Sequence, residues 1–131
     1  MQKVFDNILI VPSLVPAVRT ADANGTGVDT KGYSDGMLVA CVGDIDLADG
    51  NETYVVNLEE SDDNSSFAAV SGISITITAD NQHKEARIAD LNLTRKRYLR
   101  AVLDVGGTSP SAPIYAAIVL GGAASLPVGN A

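Results

Sequence analysis

The sequence has very little sulfur or imidazole to build a site with. Among its 131 residues, Cys41 is the only cysteine and His83 the only histidine, and tryptophan is absent. One cysteine excludes an intrachain disulfide and a zinc site made of several thiolates. A single histidine excludes a His-rich metal site, and the lack of tryptophan removes a common platform for stacking sugars. We therefore expect neither a metal ion nor a cofactor.

Catalytic arrangements are also missing from the sequence pattern. A Ser-His-Asp mechanism needs a base beside its nucleophile, but His83 lies in the polar stretch 80–84, which we interpret as a solvated loop. Cys41 lies within an apolar run, the usual setting of an inert buried thiol. The acidic stretch 44–52 fails the calcium-loop pattern, because Ala48 occupies a ligand position and the glycine comes one residue late. We predict no catalytic residue and no enzymatic activity.

The charge balance is acidic, with 9 basic against 16 acidic residues and a formal net charge of -7. Because such a chain repels phosphates, we predict that it does not bind nucleic acid. The basic residues are concentrated in one cluster, which we treat as candidate interface residues: Arg95, Lys96, Arg97 and Arg100. This cluster has two interpretations. It can meet an acidic partner surface, or its charges can guard a solvated strand edge against aggregation.

Two apolar stretches lie near the ends of the sequence, at residues 8–18 and 114–128. Prolines break the first stretch, and two glycines and a proline interrupt the second, so neither is a good membrane-spanning helix. We therefore predict no membrane partner. No signal peptide is recognised, and with a single cysteine this favours synthesis in a reducing cytoplasm.

The dominant pattern is the two-residue alternation of β-strands. It predicts that Tyr54, Val56 and Leu58 face the core, and the apolar run 114–120 predicts a strand buried on both sides. Polar turns separate the predicted strands, and the strands at 37–45 and 53–60 are expected to form a hairpin. Six or seven strands predict an all-β fold, an antiparallel β-sandwich or a jelly-roll-like barrel. The clearest predicted strands cover residues 37–45, 53–60, 73–78, 96–105 and 114–120.

The two ends of the chain differ from its middle. We predict an extended N-terminal arm over residues 1–30, a sandwich body over residues 31–122 and a C-terminal tail over residues 123–131. The apolar side chains of the arm need a partner. Either the ends cover the edges of their own sheet, or they cross to a neighbouring subunit. The candidate interface residues of the arm are Ile8, Leu9, Ile10, Val11 and Leu14.

Three segments carry a resemblance to a known class of proteins. Residues 11–45 contain RTADANGTGVD followed by GY and a long apolar strand. Residues 58–72 read LEESDDNSSFAAVSG, and residues 96–122 begin with KRYLR and end in a final apolar strand. Together these segments resemble small virion structural proteins of tailed bacteriophages. The chain looks most like a capsid decoration, or cement, protein.

The resemblance implies a β-sandwich subunit that binds the outer capsid surface and stabilises the shell by bridging capsomers. Its expected partners are the major capsid protein and further copies of itself, as a homotrimer. Its expected location is the capsid surface of the virion, after synthesis in the host cytoplasm. Two alternatives remain open: a head-spike or receptor- or glycan-binding module, and a structural component of the tail or connector.

Overall fold

Alternating apolar and polar residues give most of this chain β-structure. The computed structural model describes residues 3–129. A one-turn helix, α1 (Val4–Asn7), precedes nine strands, and within residues 3–129 no helix is long and apolar enough to cross a membrane. The strands are β1 (Leu9–Arg19), β2 (Ala23–Asn24), β3 (Val28–Asp29), β4 (Asp35–Val42), β5 (Thr53–Ser61), β6 (Ala68–Ile77), β7 (His83–Ile88), β8 (Tyr98–Gly106) and β9 (Ala112–Gly121).

The strands form two antiparallel sheets that pack against each other as a β-sandwich. One sheet has the order β1-β9-β4-β7, and the other has the order β2-β8-β5-β6, with β3 also paired to β8. The chain changes sheet at every connection between strands except β2 to β3 and β5 to β6. If β2 and β3 are taken as one strand position, this is the eight-strand order of a double-sheet jelly roll. The predicted sandwich is confirmed, and the described sheets do not close into a barrel.

The core lies between the two sheets and follows the predicted alternation. Tyr54, Val56 and Leu58 of β5 are completely buried, as expected. On β9, every second residue from Ile114 to Leu120 enters the core, while Ala117 and Val119 are buried on the opposite face. The prediction that this strand is buried on both sides is therefore confirmed.

The predicted hairpin between the strands at 37–45 and 53–60 is wrong. The first of these is β4, which pairs with β7 and β9, and the second is β5, which pairs with β6 and β8. Residues 43–52 carry the chain from one sheet to the other instead of turning it back within a sheet. Alternation alone identifies each strand but does not tell which sheet it joins.

Residues 9–30 are mostly extended, and they are hydrogen-bonded into the sandwich of their own chain. Strand β1 pairs with β9, although its register shifts twice, between Pro12 and Leu14 and between Leu14 and Ala17. Leu14 is 1% exposed within the core. The Ser13 hydroxyl donates to the Thr26 carbonyl at 2.8 Å. Residues on both sides of the boundary predicted at residue 30 therefore contribute to the same core.

The end of the chain also lies against the body as far as residue 129. The Ala124 amide donates to the Gly32 carbonyl at 2.8 Å, and the Val128 amide donates to the Asp6 carbonyl at 3.0 Å. Val128 is buried, at 8% exposure. Residues 1 and 2 of the predicted arm, and residues 130 and 131 of the predicted tail, lie outside the described residues.

A buried tyrosine joins the loop before β5 to the start of β9. The Tyr54 hydroxyl donates to the Asp46 carbonyl at 2.7 Å and accepts from the Ser111 amide at 3.0 Å. Both partners lie in loops that cross between the sheets. Since Tyr54 is fully buried, its hydroxyl satisfies backbone groups that would otherwise face an apolar interior.

Replacing Tyr54 with phenylalanine should lower the free energy of unfolding by about 1–3 kcal/mol, because it leaves buried backbone groups without a partner. Urea denaturation followed by circular dichroism measures this change. Tyr33→Phe is the matched control, since Tyr33 lies at the edge of the core and is only partly buried. Equal stability of Tyr54→Phe and the wild type would mean that the hydroxyl contributes nothing to the fold.

Candidate functional site

The outward face of the four-stranded sheet is apolar, although it faces away from the core. In an antiparallel sheet with one solvated side, the residues on that side are normally polar. Here the outward positions of β4 and β9 carry almost no charge. We call this surface the outer face. Its central residues are Met37, Val39 and Cys41 on β4 and Tyr115, Ala117 and Val119 on β9.

Strand register aligns these side chains in rows across the sheet. In one row, Ile10 pairs with Val119, Val119 with Met37, and Met37 with Arg87. In the next row Pro12, Ala117, Val39 and Glu85 are aligned in the same way. The outer face is therefore apolar across β1, β9 and β4, and it ends at the polar side chains of edge strand β7.

Exposure divides the outer face into a packed centre and an open side. Val39, Ala117 and Val119 form a small buried cluster that is separate from the core. Ile10 is 58% exposed and Met37 is 37% exposed. Scattered apolar side chains are common on protein surfaces, but a contiguous apolar surface marks a place of interaction.

Two shallow concavities lie along the outer face. The first, of about 330 Å³, lies between Ile8, Met37 and Arg87. The second, of about 530 Å³, lies between Ile10, Cys41 and Tyr115. Both are lined mainly by apolar side chains, so they can accept protruding apolar groups of a partner surface.

The predicted interface residues of the N-terminal segment fall on both faces of β1. Ile8 packs against the small cluster of the outer face, and Ile10 is exposed there. Leu9 and Val11 pack against the core, and Leu14 lies inside it. The structure therefore places two of the five on the surface where a partner could contact them.

The predicted basic cluster is neutralised within the chain. Each basic side chain has an acidic partner, and Arg100 also lies over the ring of Phe67, with 4.1 Å between the guanidinium carbon and the ring centre. Arg100 thus lies on β8 and the other three lie in the loop before it, and none of the four is left as unpaired positive charge. The four pairs are Arg95–Glu60 at 3.6 Å, Lys96–Asp62 at 3.3 Å, Arg97–Asp29 at 2.7 Å and Arg100–Glu59 at 2.6 Å.

The Arg97–Asp29 pair attaches the short strand β3 to the residue that precedes β8. Arg97 donates from Nε and from Nη2 to the two carboxylate oxygens of Asp29, at 2.8 and 2.7 Å. This bidentate hydrogen bond, helped by the backbone N–H of Lys31, lowers the pKa of Asp29 from 3.8 to about 2. The same partner raises the pKa of Arg97. The pair is therefore a structural contact between neighbouring strands.

The structure also brings together His83, which was predicted to lie in a solvated loop, and Cys41, which was predicted to be an inert buried thiol. His83 begins β7 instead of lying in a loop, and it is the cross-strand partner of Cys41. The two atoms Cys41 Sγ and His83 Nδ1 are 3.0 Å apart. On the other side of the ring, His83 Nε2 lies 3.3 Å from Glu85 Oε2. Only the β4–β7 register, which links residues 42 positions apart, could have revealed this contact.

Among residues 3–129, no group of three or more histidine, cysteine, aspartate or glutamate side chains is arranged to hold a metal ion. Compared with known proteins, the chain matches no family model and no curated sequence. The function therefore has to be inferred from the outer face and from the sequence.

The Asp29–Arg97 pair makes stability depend on pH in acid. Because the pKa of Asp29 is lowered from 3.8 to about 2 in the folded chain, the pair stabilises the fold above pH 3.8. That contribution is lost as the pH falls through about 2. Urea midpoints measured between neutral pH and pH 2 should therefore fall more steeply for the wild type than for Asp29→Asn in this window.

The control for this measurement is Asp104→Asn, which removes an exposed carboxylate from β8. It should keep the slope of the wild type. If the Asp29→Asn and wild-type curves run parallel from neutral pH to pH 2, the pair does not contribute to stability.

Proposed function

We propose that this protein is a phage capsid decoration protein, a structural subunit that binds the outside of the shell through its outer face. The single observation that carries the proposal is the apolar surface across β1, β9 and β4. A protein without a partner gains nothing from exposing Ile10 and Met37, whereas a docked subunit removes them from water.

The strand order supports a structural role in a virion. Double-sheet jelly rolls are found in viral capsid and lectin domains. A fold by itself does not specify a function. The outer face is a second observation that supports the proposal, since an apolar sheet face can pack on another sheet or on a shell surface. The resemblance of residues 11–45, 58–72 and 96–122 to phage virion proteins points in the same direction.

The distribution of charge fits a subunit that folds before it binds. A net charge of -7 keeps the free chain soluble and limits self-association. The apolar surface is bordered by Glu85 and Arg87 on β7, whose charges can set the orientation of docking. Contacts that are weak in one copy become strong when symmetry repeats them over a shell.

The paired basic cluster argues for docking through apolar contacts. Arg97 and Arg100 are each held by a carboxylate in a two-point contact. A partner that used these side chains would first have to break those contacts. We therefore assign the binding energy to the outer face and expect the basic cluster to stabilise the five-stranded sheet. We keep a homotrimer as the expected state of the docked subunit.

Ile10→Glu and Met37→Glu should each weaken capsid binding while leaving the fold intact, because both side chains are exposed in the free subunit. Each lost apolar contact is worth about 1.5–3 kcal/mol when fully buried, so affinity should fall by at least about tenfold for each substitution. The measurement is co-sedimentation with empty shells assembled from the major capsid protein of the same virus.

Leu93→Glu is the matched control. Leu93 is 84% exposed, but it lies in the loop between β7 and β8, away from the outer face. This variant should bind shells like the wild type. Equal loss for all three variants, or no loss for any, would contradict docking through the outer face. The number of copies per particle separates the alternatives, since hundreds indicate decoration, whereas a handful indicates a spike, tail or connector component.

A further inference from the structure

The only thiol and the only imidazole of the chain are in contact on the outer face. Cys41 Sγ lies 3.0 Å from His83 Nδ1, and His83 Nε2 lies 3.3 Å from the Glu85 carboxylate. A carboxylate can only accept, so its position favours the neutral tautomer that carries the proton on Nε2. Nδ1 is then an acceptor that faces the thiol. In this tautomer the imidazole can take the proton of Cys41.

These three side chains have the arrangement of an activated nucleophile. A nucleophile within hydrogen-bond reach of a base, with the base oriented by a third group, is the structural mark of such a site. The three residues come from outward positions of two paired strands, and their order follows from the register in which Cys41 pairs with His83. Rigid paired strands hold such an arrangement more precisely than a loop does.

The site is open to a small molecule. The side chain of His83 is 62% exposed, and Cys41 is partly buried. The larger concavity of the outer face, of about 530 Å³, is lined by both residues. Ile10, Val39 and Tyr115 complete its apolar walls. A reagent that rests on these walls is held beside the sulfur.

We propose that Cys41 is a reactive thiol that undergoes exchange with low-molecular-weight disulfides, with His83 as its base and Glu85 as a positioning residue. The thiol proton moves to His83 Nδ1, and the thiolate attacks one sulfur of the disulfide. The Cys41–sulfur bond forms while the disulfide bond of the reagent breaks. The leaving thiolate takes up the proton, so one protein thiol is oxidised and one small thiol is released.

The reaction ends in a mixed disulfide on the outer face. With glutathione disulfide as the reagent, the products are glutathionylated Cys41 and one molecule of glutathione. No further oxidant is needed, since the reagent supplies the second sulfur. The adduct lies between Met37, Val39 and Tyr115 and adds a charged peptide to an apolar surface.

The test measures the rate at which the folded protein reacts with glutathione disulfide at neutral pH, followed by intact mass. Wild-type protein should gain one glutathionyl group, and Cys41→Ser should gain none. His83→Ala should react about tenfold more slowly, because an unassisted thiol is only a few per cent thiolate at neutral pH. Circular dichroism of each variant establishes that the fold is kept.

Two substitutions of Glu85 test whether its side-chain oxygen orients the imidazole of His83. Glu85→Gln keeps an oxygen that can accept from Nε2 and should retain most of the rate. Glu85→Ala removes the acceptor and should approach the rate of His83→Ala. Lys84→Gln is the control on the same strand, since Lys84 points the other way and donates to the Thr76 carbonyl at 2.8 Å. It should react like the wild type.

Two results would overturn the proposal. In the first, His83→Ala reacts as fast as the wild type, which means that the imidazole does not assist the thiol. In the second, the folded wild type reacts no faster than the same protein unfolded in urea, which means that the site does not activate Cys41. Both measurements use the free full-length chain, so they do not depend on capsid binding.

Discussion

Strand β9 is apolar on both of its faces, and the rest of the structure depends on this. Its inward residues, Ile114, Ala116, Ile118 and Leu120, fill the space between the sheets, and its outward residues Ala117 and Val119 build the outer face. At the centre of a sheet, the side chains of both neighbouring strands pack beside such a strand on each of its faces. It therefore takes a central position, with β1 on one side and β4 on the other. Both the core and the candidate docking surface follow from that position.

Crossing loops hold the two sheets together around this strand. The hydroxyl of Tyr54 bonds to backbone groups of Asp46 and Ser111, which belong to two different loops. Ser13 of β1 accepts a hydrogen bond from the Ala101 amide of β8, in the opposite sheet. Buried polar groups of this kind fix one arrangement of the sheets, because any other arrangement leaves them unsatisfied. These bonds hold the four-stranded sheet, and with it the outer face, in one position relative to the other sheet.

The sequence was sufficient to predict the class of fold and the face of most core strands. The isoleucines of β6 and the alternation of Tyr54, Val56 and Leu58 are local signals, and β-strands have a two-residue period. The partners of each strand could not be predicted in this way. Cys41 and His83 lie 42 positions apart, and β4 pairs with β7 and β9 rather than with β5, the next strand along the chain. Such contacts depend on long-range register, which leaves no mark in a short window of sequence.

The orientation of the candidate interface residues also could not be predicted from local sequence patterns. Alternation separates Ile8 and Ile10 from Leu9 and Val11, but only the pairing with β9 tells which pair faces outward. The basic cluster was visible as a run of charges, whereas its carboxylate partners, including Asp29, are up to 68 positions away. A charge run in the sequence thus became a set of internal ion pairs in the fold.

The irregular register of β1 has a consequence for how copies of the protein can be arranged. A strand that shifts twice against its neighbour, and whose Pro12 and Pro16 have no N–H to donate, offers no continuous ladder to an incoming strand. An incoming strand would meet missing hydrogen-bond partners at these positions. Two copies of the protein that meet at this margin therefore do so through their side chains and not by continuing the sheet from one copy into the next.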